Sequence, residues 1–238
     1  MKRLVVLVVL VGGSVLLSFQ YHEKLYPLYV RYWHKYVPGE NQEEMLDELR
    51  RLYRERESKE LRQEARDYTI LFPDDERPHV LLARDEVRKG NREEAALHYQ
   101  DYLKKGPVSS DLFEEAVMFL FEMDYYGDVV YYMDRYEGTG SSDLVAAEGI
   151  ALYHRGRKKE ALEALLEAKN RGESSPELYL ILGRVSRDLG QKERSLRFLE
   201  EACRLDCRYP GVARNLAEAY RDAGKYEKAS RIMRQVQR

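Results

Sequence analysis

The chain has 238 residues, 34% of them charged, with 40 basic against 42 acidic side chains and a formal net charge of −2. That balance argues against nucleic acid as a partner, which calls for a domain-wide basic excess. So high a charged fraction suits a fold with much solvated surface rather than one large core.

Residues 1–20 read as an N-terminal membrane anchor. Met1, Lys2 and Arg3 precede an apolar run from Leu4 to Phe19, broken only by Gly12, Gly13, Ser14 and Ser18. As a helix the run spans ~24 Å, slightly short of the ~30 Å hydrocarbon core. Lys2 and Arg3 at one end, and Gln20, Tyr21 and His22 at the other, make up the difference by reaching to the interface. Val15, Leu16 and Leu17 follow Gly12-Gly13-Ser14 at once, where a cleaved leader would give way to a polar start, and no lipoprotein cysteine follows. The expectation is an uncleaved signal-anchor, with a cleaved signal peptide as the alternative. Lys24, Arg31 and Lys35 lie beyond the run, so basic residues bias the orientation only weakly. The expected location is a bacterial inner membrane, single-pass, with the remainder in the periplasm; a cytoplasmic remainder is the alternative.

Residues 21–41 form an aromatic juxtamembrane segment. Tyr21, Tyr26, Tyr29, Tyr32, Trp33 and Tyr36 crowd together, and Tyr26, Tyr29, Val30, Trp33 and Val37 share one helical face. Amphipathic rings favour the membrane–water boundary, and Pro27 suits the first turn of a new helix. A short interfacial helix from Pro27 to Tyr36 is expected. The alternatives are packing on the segment that follows and contact with another transmembrane subunit. Pro38-Gly39 marks the break before the next region.

From residue 42 the chain repeats itself. Gly156, Gly190 and Gly224 fall 34 residues apart, and Gly149, Gly183 and Ala217 lie seven positions before them. A fixed period of this length signals stacked helix–turn–helix units. Six copies are read, at 42–75, 76–109, 110–141, 142–175, 176–209 and 210–238, the third two residues short. Small residues at Gly149, Gly183, Ala217, Ala161 and Ala229 let helix backbones approach. Leu165, Leu199 and Met233 fill the groove between them. The glycines after each first helix supply a left-handed cap.

These residues carry a resemblance to the tetratricopeptide family. The fifth copy shows Tyr179, Leu182, Gly183, Gly190, Leu199 and Ala202; the sixth shows Leu216, Ala217, Tyr220, Gly224, Tyr226, Ala229 and Met233. The second copy shows Leu82, Ala83, Gly90, Ala95, Tyr99, Tyr102 and Pro107, while the first and third match more weakly. The resemblance implies an all-α, right-handed α-solenoid of about six repeats behind the anchor. It also implies that first helices line a concave groove taking protein subunits or peptides. On this chain the implied groove residues are Arg50, Tyr53, Arg84, Met118, Phe121, Ile150, Tyr153, Arg184, Arg187, Arg214 and Arg221. Arginines thus flank an apolar centre, which suits an extended peptide or helix with acidic ends; solvation of the groove and pairing with neighbouring acids is the plainer alternative. The tyrosines of the third copy, Tyr125, Tyr126, Tyr131, Tyr132 and Tyr136, mark a second contact region or a bend.

No catalytic motif appears: there is no phosphate-binding glycine loop, His-Glu-x-x-His or Gly-x-Ser-x-Gly. Neither an enzyme nor a cofactor is expected. Cys203 and Cys207, four apart on one predicted helix, read as packed thiols, since a disulfide within a helix is awkward. His98 and Asp101 are spaced as two ligands, too few for a metal, and read as solvent-exposed. Asp74, Asp75 and Glu76 read as helix-start charges. The resulting functional expectation is a membrane-anchored scaffold or adaptor in a larger envelope complex. The alternatives are a periplasmic chaperone-like client binder, or an accessory subunit of an envelope enzyme or cytochrome-maturation system. Oligomeric state stays open.

Overall fold

The computed structural model describes residues 26–28, 30–31, 41–104 and 109–236. The anchor expected at 1–20 lies outside the described residues, as do Tyr21, Tyr29, Tyr32, Trp33 and Tyr36. Among the described residues all regular structure is helical, and no helix is long and apolar enough to cross a membrane. The chain divides into two compact units, Met1–Val108 and Ser109–Arg238.

In the first unit α1 (Gln42–Glu55) pairs with α2 (Ser58–Leu71), and α3 (Arg77–Lys89) with α4 (Arg92–Lys104). Asn41 starts α1: its Oδ1 accepts the Glu44 amide at 2.9 Å and its Nδ2 donates to Glu44 Oε1 at 2.8 Å. One otherwise orphaned amide is thereby satisfied. Leu46, Leu49 and Leu52 recur every third residue on α1 and pack with Leu61, Ala65 and Tyr68 of α2 and Leu81 of α3.

Buried charge ties this unit together. Asp75 is 7% exposed and accepts hydrogen bonds from Tyr68, from Gln42 Nε2 at 2.9 Å and from Arg77 Nη2 at 2.6 Å. It accepts the Arg77 amide at 3.1 Å, as the helix-start charge expected from sequence, and is in addition a buried hub between helices. Burial alone would raise its pKa, but the Arg77 guanidinium and the Tyr68 hydroxyl hold the carboxylate well below its ordinary range. The same burial, with Asp75 as acceptor, pushes the Tyr68 phenol up to about 12.

Tyr26 also departs from expectation. Its hydroxyl donates to Asp67 Oδ1 at 2.6 Å and accepts from Gln63 Nε2 at 2.6 Å, while Arg66 lies 5.3 Å from the ring centre. Val30 is 4% exposed. Tyr26 therefore packs on α2, as in the alternative of packing on the segment that follows; an amphipathic ring serves either purpose, and α2 supplies a partner for each end of this one.

In the second unit α5 (Ser110–Glu122), α6 (Tyr126–Met133), α7 (Ser142–His154), α8 (Lys158–Asn170), α9 (Pro176–Asp188), α10 (Lys192–Asp206), α11 (Val212–Asp222) and α12 (Tyr226–Val236) form four successive hairpins. Ser141 and Ser175 cap α7 and α9 through their side chains, and Pro176 opens α9 at its first turn. A Cβ built on Gly149 would stand 2.7 Å from Leu165 Cγ and 3.0 Å from the Leu165 backbone nitrogen. One on Gly183 would stand 2.6 Å from Leu199 Cγ. Those contacts are the physical reason that glycine occupies both positions.

One backbone feature recurs in all six hairpins. Arg56, Gly90, Asp124, Gly156, Gly190 and Gly224 have φ between 61° and 86°. After each of them the next amide reaches back to the carbonyl five residues earlier, from Glu57 to Leu52 at 3.0 Å through to Lys225 to Tyr220 at 2.7 Å. This bond is the signature of a Schellman end. The spacing is 34 residues except between Asp124 and Gly156, where it is 32. The shortfall coincides with α6, which has 8 residues against 13 in α8 and 15 in α10.

Cys203 and Cys207 are joined by a disulfide, which corrects the expectation of two packed thiols. Helix α10 ends at Asp206 and Cys207 is its cap, so the bridge spans the last turn of the helix.

Candidate protein-binding site

The groove positions fall into two groups, one on each unit. On the first unit Arg50, Tyr53 and Arg84 line a cleft of about 510 Å³ with Asp47, Arg54 and Leu81. Arg50 Nη1 donates to Asp47 Oδ1 at 2.6 Å, and Arg54 Nε to the Arg50 carbonyl at 3.3 Å. Arg88 lies 4.5 Å from the Tyr53 ring centre and donates to the Tyr53 carbonyl at 2.9 Å, fixing that ring. The cleft lining thus holds three guanidiniums, of Arg50, Arg54 and Arg84, with the Asp47 carboxylate.

On the second unit the groove residues ride on α7, α9 and α11, which pack side by side. Arg187 Nη1 donates to Glu218 Oε2 at 2.9 Å. Arg184 Nε reaches Asn215 Oδ1 at 3.4 Å, and Asn215 is itself fixed by donating to the Gly211 carbonyl at 2.8 Å. Arg184 is half-buried, and among the described residues it forms no ion pair. Arg214 and Arg221 are exposed. Ile150 is only 5% exposed, so it packs α7 into the core and offers little surface to a partner. Tyr153 is half-buried; burial and Asp188 raise its pKa against the opposing pull of Arg184, Arg187 and Lys158.

Met118 and Phe121 are half-buried on α5. Phe121 meets Tyr126 edge-on at 6.0 Å, Tyr126 stacks on His154 at 4.3 Å, and His154 meets Tyr153 at 5.7 Å. A continuous run of rings thus joins α5 to α7. Burial, then Arg184, pushes the His154 imidazole down. Tyr126 belongs to the tyrosine cluster singled out in sequence, but His154 does not stand out there, nor does the pairing of the two. The signal is their placement two residues after Asp124 and two before Gly156, the turns of adjacent hairpins. Of the other tyrosines in this region, Tyr132 is buried and Tyr136 stacks on Phe113 at 4.0 Å, while Tyr131 is 51% exposed beneath Arg135.

Among the described residues one trio has metal-ligand character. His79, His98 and Asp101 bring one ligand atom each to within 4.8 Å of one another. His98 is half-buried, against the expectation of an exposed residue, and His79 comes from the facing helix, which spacing along α4 does not reveal.

Residues 176–206 and 210–235 match models of the tetratricopeptide repeat. No curated protein sequence matches the chain. Among solved structures the chain is similar to MamA, with 17% identity over 65% of this chain and 92% of that one at a TM-score of 0.57. It is also similar to YrrB, described as a TPR protein with an unusual peptide-binding site, with 19% identity over 69% and 86% at a TM-score of 0.54. A third similarity, to the APC/C hetero-tetramer Cut9-Hcn1, has 10% identity over 96% of this chain and 47% of that one at a TM-score of 0.52. At these identities the likeness speaks for the fold. Residues 176–206 and 210–235 thus carry the tetratricopeptide-repeat match, and the described hairpins share the helical-hairpin fold of these structures.

Proposed function

We propose that the protein is a non-catalytic scaffold or adaptor whose first helices hold an acidic peptide or helix of a partner protein. The observation that carries this reading is Arg184: half-buried, steadied by Asn215, beside Tyr153, and without an ion pair among the described residues. A guanidinium so placed is preorganised for a carboxylate. The similarity to YrrB, a protein described as binding peptide, supports the same reading. Acidic peptides with an aromatic or leucine centre, followed by fluorescence anisotropy on the full chain, test it. Arg184→Glu is expected to weaken binding by about tenfold or more. Equal affinity of the variant, or a preference for basic peptides, defeats the reading.

The finer proposal places this scaffold in an envelope complex, held by the apolar run at residues 4–19 with the repeats in the periplasm. The flanking Lys2 and Arg3 support it, and so does the Cys203–Cys207 disulfide, which suits an oxidising compartment. Membrane fractions washed with alkaline carbonate should retain the protein. Release into the wash argues against an anchor and leaves the peptide test untouched.

A further inference from the structure

We propose that His79, His98 and Asp101 form a site for a divalent transition metal that clips α3 to α4. The donor set is two imidazoles and a carboxylate, which suits zinc, cobalt(II) or nickel. The hairpin makes the site. His98 and Asp101, three apart, share one face of α4, and the turn at Gly90 folds α3 back so that His79 joins them. Their ligand atoms lie within 4.8 Å of one another. A tetrahedral metal with bonds of about 2 Å needs neighbouring ligands about 3.3 Å apart. All three side chains are half-buried, and rotation about their side-chain bonds is the movement that would close the gap. The two imidazole rings are 5.9 Å apart and tilted by 42°, so they are not locked in a stack.

Two further observations point to a ligand. His98 Nδ1 is buried and has no hydrogen-bond partner among the described residues, an arrangement that normally calls for an explanation such as an ion. Glu76, 2% exposed, places Oε2 at 3.5 Å from His79 Nε2. A buried carboxylate behind an imidazole is the outer-shell arrangement that orients metal-ligating histidines. Lys104 competes, since its Nζ lies 2.6 Å from Asp101 Oδ1. Three protein ligands leave a coordination position for water or for a group brought by a partner.

The test uses the full chain without a polyhistidine tag, titrated with cobalt(II) under visible absorption and with zinc under calorimetry. One equivalent should bind, with the intense visible bands of a low-coordinate cobalt site, and zinc should raise the melting temperature. His98→Ala should abolish the bands and the thermal shift. Asp101→Asn, a change at a more exposed carboxylate, should weaken binding in a protein whose circular dichroism is unaltered. Glu76→Gln should cost about 10- to 100-fold in affinity. Lys104→Met should tighten binding, because it frees the Asp101 carboxylate; a purely structural polar cluster predicts no such gain. Failure to bind one equivalent, an unchanged titration in His98→Ala, or unchanged affinity in both Asp101→Asn and Lys104→Met overturns the proposal.

Discussion

The first unit holds its helices with buried charge, and the second holds them by close approach of backbones. At matching places the second unit sets Gly149 against Leu165 and Gly183 against Leu199, while the first hairpin of the first unit has Leu49 and Ala65, with large and small exchanged. Volume is conserved, so both arrangements fill the seam. Three residues beyond that place, the first unit has Tyr68 and Tyr102 where the second has Ala168 and Ala202, all fully buried. A buried phenol needs a partner, and Tyr68 finds Asp75, which in turn requires Arg77 and Gln42. Asp85 and Glu86 extend the pattern: Asp85 pairs with Lys89, while Glu86 accepts from Arg62 Nη2 at 2.7 Å and Asn91 Nδ2 at 2.7 Å. One architecture is thus built from two chemistries, and they should fail under different stresses.

Removing the hub is the most damaging way to probe this contrast. Asp75→Ala strands Tyr68 and Gln42, leaves Arg77 with Glu43, and should cost about 3 kcal/mol in urea denaturation, with the loss confined to the first unit by hydrogen exchange. Acid should act next. Asp75, Asp85 and Glu86 all have pKa values depressed by their donors against the cost of burial. Their contribution is complete above the ordinary carboxylate range of about 4 and drains away as pH falls through the lowered values. Glu148 of the second unit has the opposite sign. Burial, then Asp134, raises its pKa, so its ionisation opposes folding as pH rises through the raised value, and acid relieves it. Exchange measured between pH 5 and pH 3 should show the first unit losing protection before the second; simultaneous loss would remove the distinction.

A smaller effect is expected at the close approach. Gly149→Ala should destabilise by about 1–2 kcal/mol, overpacking being offset in part by the helical preference of alanine. Gly183→Ala should cost less, because only side-chain atoms of Leu199 stand in the way. In a Leu165→Ala background Gly149→Ala should become neutral or stabilising, and additive thermal shifts would show that the two positions are not coupled. The smallest change is a gain. Arg56 sits at φ 62° where four of the other five turns have glycine; Arg56→Gly should raise stability by about 1 kcal/mol, read as an increase in the denaturation midpoint.

Residues also differ in how openly they declare these roles. The hairpins from the fourth onward are legible because glycine marks each turn and a small residue precedes it by seven. The first and third are obscured because Arg56 and Asp124 adopt the same left-handed turn without the residue that advertises it. The disulfide was hidden because a separation of four puts both cysteines on the last turn of a helix, the second as its cap, where packed thiols are the plainer reading. Asp75 resembled an ordinary helix-start acid because its burial depends on Tyr68, seven residues back, and Gln42, in another helix. The arginines at 184 and 187 were legible as groove positions. Their different states were not, because Glu218 and Asn215, which distinguish them, arrive from the next hairpin. Partnership across helices is the information that a one-dimensional pattern omits.

In the second unit the described helices pack chiefly on chain neighbours one or two elements away. Such a molecule has low contact order, so its turns should form early and its assembly should be rapid. It also unravels like a zip rather than collapsing like a keystone arch. Pulled from the carboxyl end, α12 and then α11 should come away in discrete steps while α7 and α8 stay folded, giving a sawtooth force trace instead of a single rupture.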